Sequence, residues 1–276
     1  VRIMTWNLWW RFGDWRARRT AILDWLRRER PDVCGFQEVW ATEDENLAGW
    51  LAEELDMHWV WAPGEVFEHW RGRAPEPADG VGNAVLSRWP LVDSEVRRLP
   101  TAGGPEEVRT ALFALVDAPG ARVPFFTTHL HSDPAGSAVR VAQVTELAGF
   151  VAERRGGTPF PPVVTGDFNA EPEADELRLF GGTLTAPAVP GQVMLDAWRF
   201  ADPGQPAGTF QAGPPRDDGT LSFEVRADYV LLGPTGPGGE GGVTAVWRTG
   251  AGPTPEGGDV WPSDHAAVMV ELTGEG

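Results

Sequence analysis

Apolar and polar positions alternate over Arg2–Leu8, which reads as a buried strand whose far end presents the polar side chain of Asn7. The period then lengthens. Ala21, Ile22, Trp25 and Leu26 fall at helical spacing within Trp15–Arg30, and Pro31 marks the end of that helix. Asp32–Glu38 returns to a strand pattern, so the chain opens with a strand–helix–strand unit that brings Asn7 and Glu38 to equivalent strand ends. Glu43–Leu55 predicts a second helix and His58–Ala62 a strand, whereas residues 63–81, rich in Pro, Gly and charge, predict an irregular surface loop. Gly82–Arg88 and Asp93–Leu99 read as strands joined by a turn at Trp89-Pro90. Val108–Asp117 and Arg122–His129 read as a hairpin around Ala118-Pro119-Gly120. Ser137–Arg154 has helical periodicity, and Pro162–Gly166 is a short apolar strand running into Asp167. Ala227–Leu232, Val243–Trp247 and Ala266–Leu272 complete the strands, with Gly/Pro-rich loops at 233–242 and 250–258. Nothing resembles an interdomain linker or a short repeat, so a single domain spanning 1–276 is expected.

Composition narrows the class. Hydrophobic content of 42% with 23% charged residues is ordinary for a globular protein and argues against disorder. No apolar run approaches the roughly 18–20 residues needed to span a bilayer. Arg2 leads straight into a strand rather than into an apolar signal core, so a cytoplasmic location is expected. Cys34 is the only cysteine, which rules out an intrachain disulfide and a multi-thiolate zinc site; it reads as a small core residue. The net charge is −17, and every basic residue apart from histidine is arginine. Tight nucleic-acid binding rests on a basic footprint, which this chain lacks globally. An acidic chain can still turn over phosphate substrates when a bound cation reverses the local field.

The polar residues at strand ends carry the candidate chemistry. Asn7 stands in Thr5-Trp6-Asn7 and Glu38 in Phe36-Gln37-Glu38; His129 and His131 close another apolar strand in Thr127-Thr128-His129-Leu130-His131. In Thr165-Gly166-Asp167-Phe168-Asn169 a buried strand and a glycine present Asp167 and Asn169 two residues apart, suited to gripping a water or a phosphoryl oxygen. Asp228 opens a strand in Ala227-Asp228-Tyr229, and Ser263-Asp264-His265 sets an acid beside an imidazole. Singly, each has a bland reading: a solvated edge acid, a hydrogen-bonded structural histidine, an Asx turn. Together they form a set of hard oxygen donors and imidazoles at strand ends. Such a set suits Mg2+ or Mn2+ with a phosphate substrate better than zinc.

These motifs, in this order and over nearly the whole chain, resemble the endonuclease/exonuclease/phosphatase superfamily, which includes deoxyribonucleases, abasic-site endonucleases, neutral sphingomyelinases and inositol-polyphosphate phosphatases. Gly82-Asn83-Ala84, Arg140 with Gln143, and Asp196-Ala197-Trp198 add to the likeness. The resemblance implies an α/β fold, a four-layer α/β sandwich of two mixed β-sheets packed face to face with helices outside, and a site at one edge. It further implies a Mg2+- or Mn2+-dependent hydrolase of phosphate esters. Asn7, Glu38 and Asp264 would serve the metal, and Asp167 and Asn169 the attacking water. Asp228 would fix the tautomer of His265, which donates to the phosphoryl oxygen, and His129 would contact the phosphate or assist the leaving group. Arg109 is a candidate phosphate contact. Glu65, Glu68 and Asp79 are candidate partners for His129, and His131 reads as a solvated loop residue.

Substrate choice falls to the aromatic loops. Fourteen tryptophans are many for this length, and Trp10, Trp40 and Trp261 are candidate substrate contacts near the site. Arg71, Arg73, Arg109 and Arg216 are scattered along the chain, whereas a nuclease groove needs them aligned. The acidic balance therefore favours a small phosphoester over DNA or RNA, and either over a lipid. A monomer is expected, and a catalytically dead binding protein on the same fold is the reading from another class.

Overall fold

The opening unit forms as β1 (Arg2–Asn7), α1 (Trp15–Glu29) and β2 (Val33–Ala41), with the two strands parallel and Asn7 opposite Gln37 in the computed structural model. The structure describes residues 1–66, 68–74, 76–101, 108–211, 224–254 and 259–274. Next come α2 (Leu47–Leu55), β3 (His58–Gly64), the short α3 (Glu68–Arg71) and β4 (Gly80–Ser87). The second helix starts four residues later than the periodicity suggests. The Asn46 side chain accepts from the backbone N–H of Ala48 and Gly49 at 2.8 and 3.4 Å, which fixes the N-terminus there. The segment expected as loop also holds α3 and the start of β4.

The middle of the chain supplies β5 (Leu91–Arg98), β6 (Thr110–Ala118), β7 (Ala121–His129), α4 (Ser137–Arg154) and β8 (Val163–Asp167). β4 and β5 are neighbours in sequence but lie in different sheets: the Trp89-Pro90 turn carries the chain from one to the other. α5 (Asp175–Gly181), β9 (Leu195–Asp196), β10 (Phe210–Gln211), β11 (Glu224–Val225), β12 (Asp228–Leu232), β13 (Val243–Thr249) and β14 (Ala267–Leu272) follow. The first six-stranded sheet has the order β13-β14-β1-β2-β4-β3 and the second β5-β6-β7-β8-β12-β9. Each has one parallel pair near its centre, β1 with β2 and β7 with β8, crossed over by α1 and α4 respectively.

The alternation of side chains sorts the interior into three cores. Ile3, Val33, Val85, Leu112, Phe125, Val163, Val230 and Val270 fill the space between the sheets. Their chain neighbours point the other way: Met4, Cys34 and Leu86 face α1 and α2, while Phe113, Phe126, Val164 and Leu231 face α4 and α5. Phe126 and Phe150 meet edge to face at 5.5 Å and 85°, and each such fully buried ring contributes about 1.5–3 kcal/mol. The layer order is helices, sheet, sheet, helices, the four-layer sandwich that the motifs implied.

Toward the end where the motifs emerge, the inter-sheet core turns polar. Thr5, Gln37, Thr127 and Thr165 are all fully buried. The Gln37 amide donates to Thr127 Oγ1 at 2.9 Å, joining one sheet to the other. Gly35 permits this approach: a Cβ there would lie 2.1 Å from Thr165 Oγ1 and 2.8 Å from Thr127 Oγ1. Gly35→Ala is therefore expected to destabilise the protein by about 1–3 kcal/mol through overpacking. Adding Thr165→Ala should recover part of that loss, and urea unfolding of the single and double variants reads the coupling. Strictly additive losses would rule out this contact as the cause.

Candidate active site

Strand register assembles the site before any side-chain interaction is considered. On the second sheet His129, Asp167 and Asp228 stand abreast on β7, β8 and β12, with Asp167 paired to both neighbours. On the first sheet Asn7 ends β1, and Glu38 follows its register partner Gln37 on β2. The Glu38 position depends on a bulge. Between Phe36 and Val39 the pairing of β2 with β4 slips, and Glu38 adopts φ +52°. A left-handed non-glycine residue costs about 1–2 kcal/mol, and here it turns the carboxylate toward Asn7. Gly166 is required by close approach, since a Cβ would meet the Thr128 carbonyl oxygen at 2.2 Å.

Asp167 is the hub. Its Oδ2 accepts from the Asn7 amide at 3.0 Å and lies 3.4 Å from His129 Nε2 and 3.8 Å from His265 Nε2. Its Oδ1 accepts from the backbone N–H of Asn169 at 2.9 Å, so the Asp167-Phe168-Asn169 motif contains an Asx turn. Asn169, at φ +49°, donates its amide to the Leu130 carbonyl at 3.2 Å. The Asn7 amide also donates to Glu38 Oε1 at 3.1 Å, while its own oxygen accepts from the Trp9 N–H at 3.0 Å. Asn7 thus stands as a donor between two carboxylates. To ligate a cation through oxygen, its amide must turn.

Electrostatics separate the two imidazoles. Burial opposes charge on His265, but Asp228 at 2.8 Å from Nδ1, together with Asp167 and Asp264, raises its pKa well above the ordinary imidazole value. For His129, burial and then the positive charges of Arg109 and His265 push it well below. The two rings are thus biased in opposite directions, His265 toward its charged form and His129 toward its neutral form. The acids shift upward: Asp167 to about 6 by burial and Asp228, and Asp264 to about 7 by burial and Glu38. Glu38 is raised as well, through burial first and Asp167 second.

At the site, Glu38 Oε2 and Asp228 Oδ1 are buried carboxylate oxygens with no hydrogen-bond partner among the described residues. Clustered acids with unmet lone pairs suit a hard divalent cation. Among the described His, Cys, Asp and Glu side chains, the group whose ligand atoms all fall within 4.8 Å is Asp167, Asp228 and His265. The short Asp228–His265 contact is the hydrogen bond of an oriented imidazole. That leaves Glu38 and the partly buried Asp264 as carboxylates not engaged with an imidazole.

Other expectations need revision. Trp10 and Trp40 are fully buried and offer no face to a substrate: Trp10 donates to the Gly80 carbonyl at 3.0 Å, and Trp40 packs on Trp15 at 5.2 Å. Trp261 is exposed and lines a cleft of about 360 Å3 with Trp9, Phe210, Asp264 and His265. His131 is buried, not solvated, and its N–H is bound by Gln143 at 2.9 Å. Arg109 is buried beside His129, Glu38 and Asn83, and it donates to Ser132 Oγ at 3.2 Å. Glu65 is exposed and lines that same small cleft, while Asp79 faces Arg71 at 4.0 Å; among the described residues the carboxylate beside His129 is Asp167, at 3.4 Å. Glu68 and Arg216 fall outside the described side chains. Sequence reasoning missed Arg18, a buried guanidinium beneath the site. Its signal was its place in the apolar stripe of α1, between Trp15 and Ile22.

Known proteins resemble this chain in sequence and in fold. A Caenorhabditis elegans protein described as "Putative neutral sphingomyelinase" is 27% identical over 222 residues, which is 73% of this chain and 46% of that protein. The chain spans less than half the length of the curated relatives it matches, 40% and 46%. Among solved structures, a mannosyl-6-phosphatase of Bacteroides thetaiotaomicron has a TM-score of 0.71 at 19% identity, covering 99% of this chain and 100% of that one. D. rerio TDP2 complexed with single strand DNA product has a TM-score of 0.73 at 17% identity, covering 99% of each chain. At these identities the structures establish a common fold. Residues 4–265 match the Endonuclease/Exonuclease/phosphatase family, and the chain belongs to it.

Proposed function

We propose that the protein hydrolyses a small phosphate ester with the aid of Mg2+ or Mn2+. The observation that carries this reading is the Asp167 carboxylate, which lies 3.4 and 3.8 Å from two imidazoles whose surroundings favour opposite charge states. Asp167, with Asn169 beside it, orients a water and takes its proton as the water oxygen bonds to phosphorus. Asp228 accepts from Nδ1 of His265 and so orients its ring, and His265 donates from Nε2 to a phosphoryl oxygen as the bond to the leaving alcohol breaks. The alcohol oxygen takes its proton on the solvent side. Neutral His129 and the Arg109 guanidinium bind the remaining phosphoryl oxygens. Glu38, Asp264 and a turned Asn7 would hold the cation, which neutralises charge on the phosphoryl group.

The acidic charge of −17 and the 360 Å3 cleft at His265, sized for one small substituent, support a small substrate over a polymer. The phosphatase among the structural relatives agrees with that choice. A lipid phosphodiester is the second reading. It is favoured by the descriptions of the sphingomyelinase relatives and by the aromatic rim of Trp9, Phe210 and Trp261.

A panel of bis-p-nitrophenyl phosphate, p-nitrophenyl phosphate, plasmid DNA, RNA and sphingomyelin, assayed with Mg2+ or Mn2+, separates these substrates. Metal-dependent cleavage of a nitrophenyl ester is expected. Asp167→Asn and His265→Ala should each lower kcat/KM by about 10²–10⁴ without loss of fold. Retained activity in Asp167→Asn would refute the mechanism, and no cleavage in any arm would leave the dead-scaffold reading.

A second expectation concerns pH. Asp264 loses its proton near pH 7, and only its ionised form attracts a cation. The Mn2+ concentration giving half-maximal activity should therefore fall as pH rises from 5.5 to 8. Asp264→Asn should flatten that trend. A metal requirement independent of pH would exclude Asp264 from the cation site.

A further inference from the structure

Arg18 lies on α1 with 3% of its surface exposed, directly beneath the site. Each of its guanidinium N–H groups is spent on a backbone carbonyl rather than on a carboxylate. Nε donates to Phe12 at 3.0 Å; Nη1 to Leu8 at 3.0 Å and Pro262 at 2.9 Å; Nη2 to Trp9 at 2.8 Å and Trp10 at 2.9 Å. The guanidinium plane also sits 4.7 Å from the Trp9 ring. Burial lowers its pKa only to about 10, so it is charged at neutral pH, and Asp264 and then Glu38 are the acids that most favour that charge.

The carbonyls it gathers belong to two segments far apart in sequence. One follows Asn7 and is strained: Trp9 and Trp10 have φ +56° and +34° in succession. The same segment holds the Asn7 oxygen through the Trp9 N–H and the Glu38 carbonyl through the Trp10 N–H at 3.1 Å. The other segment contains Pro262 and Ser263, whose hydroxyl donates to the Asn7 carbonyl at 2.7 Å, immediately before Asp264. Without a central cation, these carbonyls would face one another and the two left-handed tryptophans would relax.

We propose that Arg18 is a positioning residue for the metal side of the site: it locks the segment after Asn7 to the segment before Asp264 and keeps a positive charge behind Glu38 and Asp264, so that these side chains are set to receive a divalent cation. The inference rests on the metal-dependent reading above. Lysine cannot replace arginine here, because three mobile donors on a flexible stem do not span carbonyls spread around a planar fork.

The test compares wild type, Arg18→Lys, Arg18→Met and Leu26→Ala, a variant that weakens α1 packing on its buried face away from these carbonyls. Hydrogen exchange without metal is followed in peptides covering 8–12 and 260–264, and Mn2+ affinity is read from the free-ion EPR signal. Both Arg18 variants should exchange at least about tenfold faster in both segments and bind Mn2+ about 10–100-fold more weakly, the range seen when supporting residues of a metal site are removed. Leu26→Ala should lower the unfolding midpoint yet bind Mn2+ within about twofold of wild type, a separation expected only for a positioning role. Wild-type exchange and Mn2+ affinity in Arg18→Lys, or an equal Mn2+ loss in Leu26→Ala, would overturn the proposal. If wild type itself binds no Mn2+, the metal reading falls, and exchange in the two segments alone decides whether the clamp exists.

Discussion

The buried Asp167 carboxylate is the interaction on which the site depends. One of its oxygens is approached by the Asn7 amide and by both imidazoles, and burial beside Asp228 raises its pKa to about 6. A carboxylate so placed is stable as an anion only while donors and positive charge surround it. Its neighbours supply these: the Asn7 amide, the charged His265 and the backbone N–H of Asn169. The polarity of the whole sandwich edge follows from that need.

Topology delivers those neighbours. The parallel pair of each sheet ends at the same edge, so Asn7 and Glu38 from one sheet meet His129 and Asp167 from the other. The meeting is close because Gly35 and the Gln37–Thr127 bridge draw the sheets together one step below. Helix α4 secures the far side, where Gln143 binds His131 and Arg140 pairs with the buried Glu176 at 2.9 Å. On the near side Arg18 binds the loop carbonyls. The site therefore rests on secondary structure through buried polar groups bonded to backbone and to one another, which fixes its geometry.

Much of this was legible from the residues. Strands that ended on Asn7, His129 and Asp167 announced polar groups at one edge, and the Asp228–His265 pairing followed from the family likeness. Features that depend on local departures from regular structure were not legible. Periodicity gives no sign of the bulge that turns Glu38, nor of the left-handed Trp9 and Trp10. Trp10 and Trp40 were expected at the mouth because their loops follow site residues, but the inward fold of residues 8–12 over Arg18 buries Trp10, and Trp15 and Arg11 cover Trp40. His131 was misjudged because nothing in its own motif reveals that α4 packs over it. Arg18 itself was visible as a charge on an apolar stripe, a pattern that signals a buried cation with partners supplied from elsewhere in the chain.

In the proposed reaction water attacks phosphorus directly, activated at Asp167, with no side chain forming a bond to the phosphoryl group. The stereochemical course at phosphorus tests it most directly. A chiral phosphorothioate diester hydrolysed in 18O-water should give product with inverted configuration, as one in-line displacement requires. Retention of configuration would mean two displacements through a phosphorylated side chain, and would contradict the account.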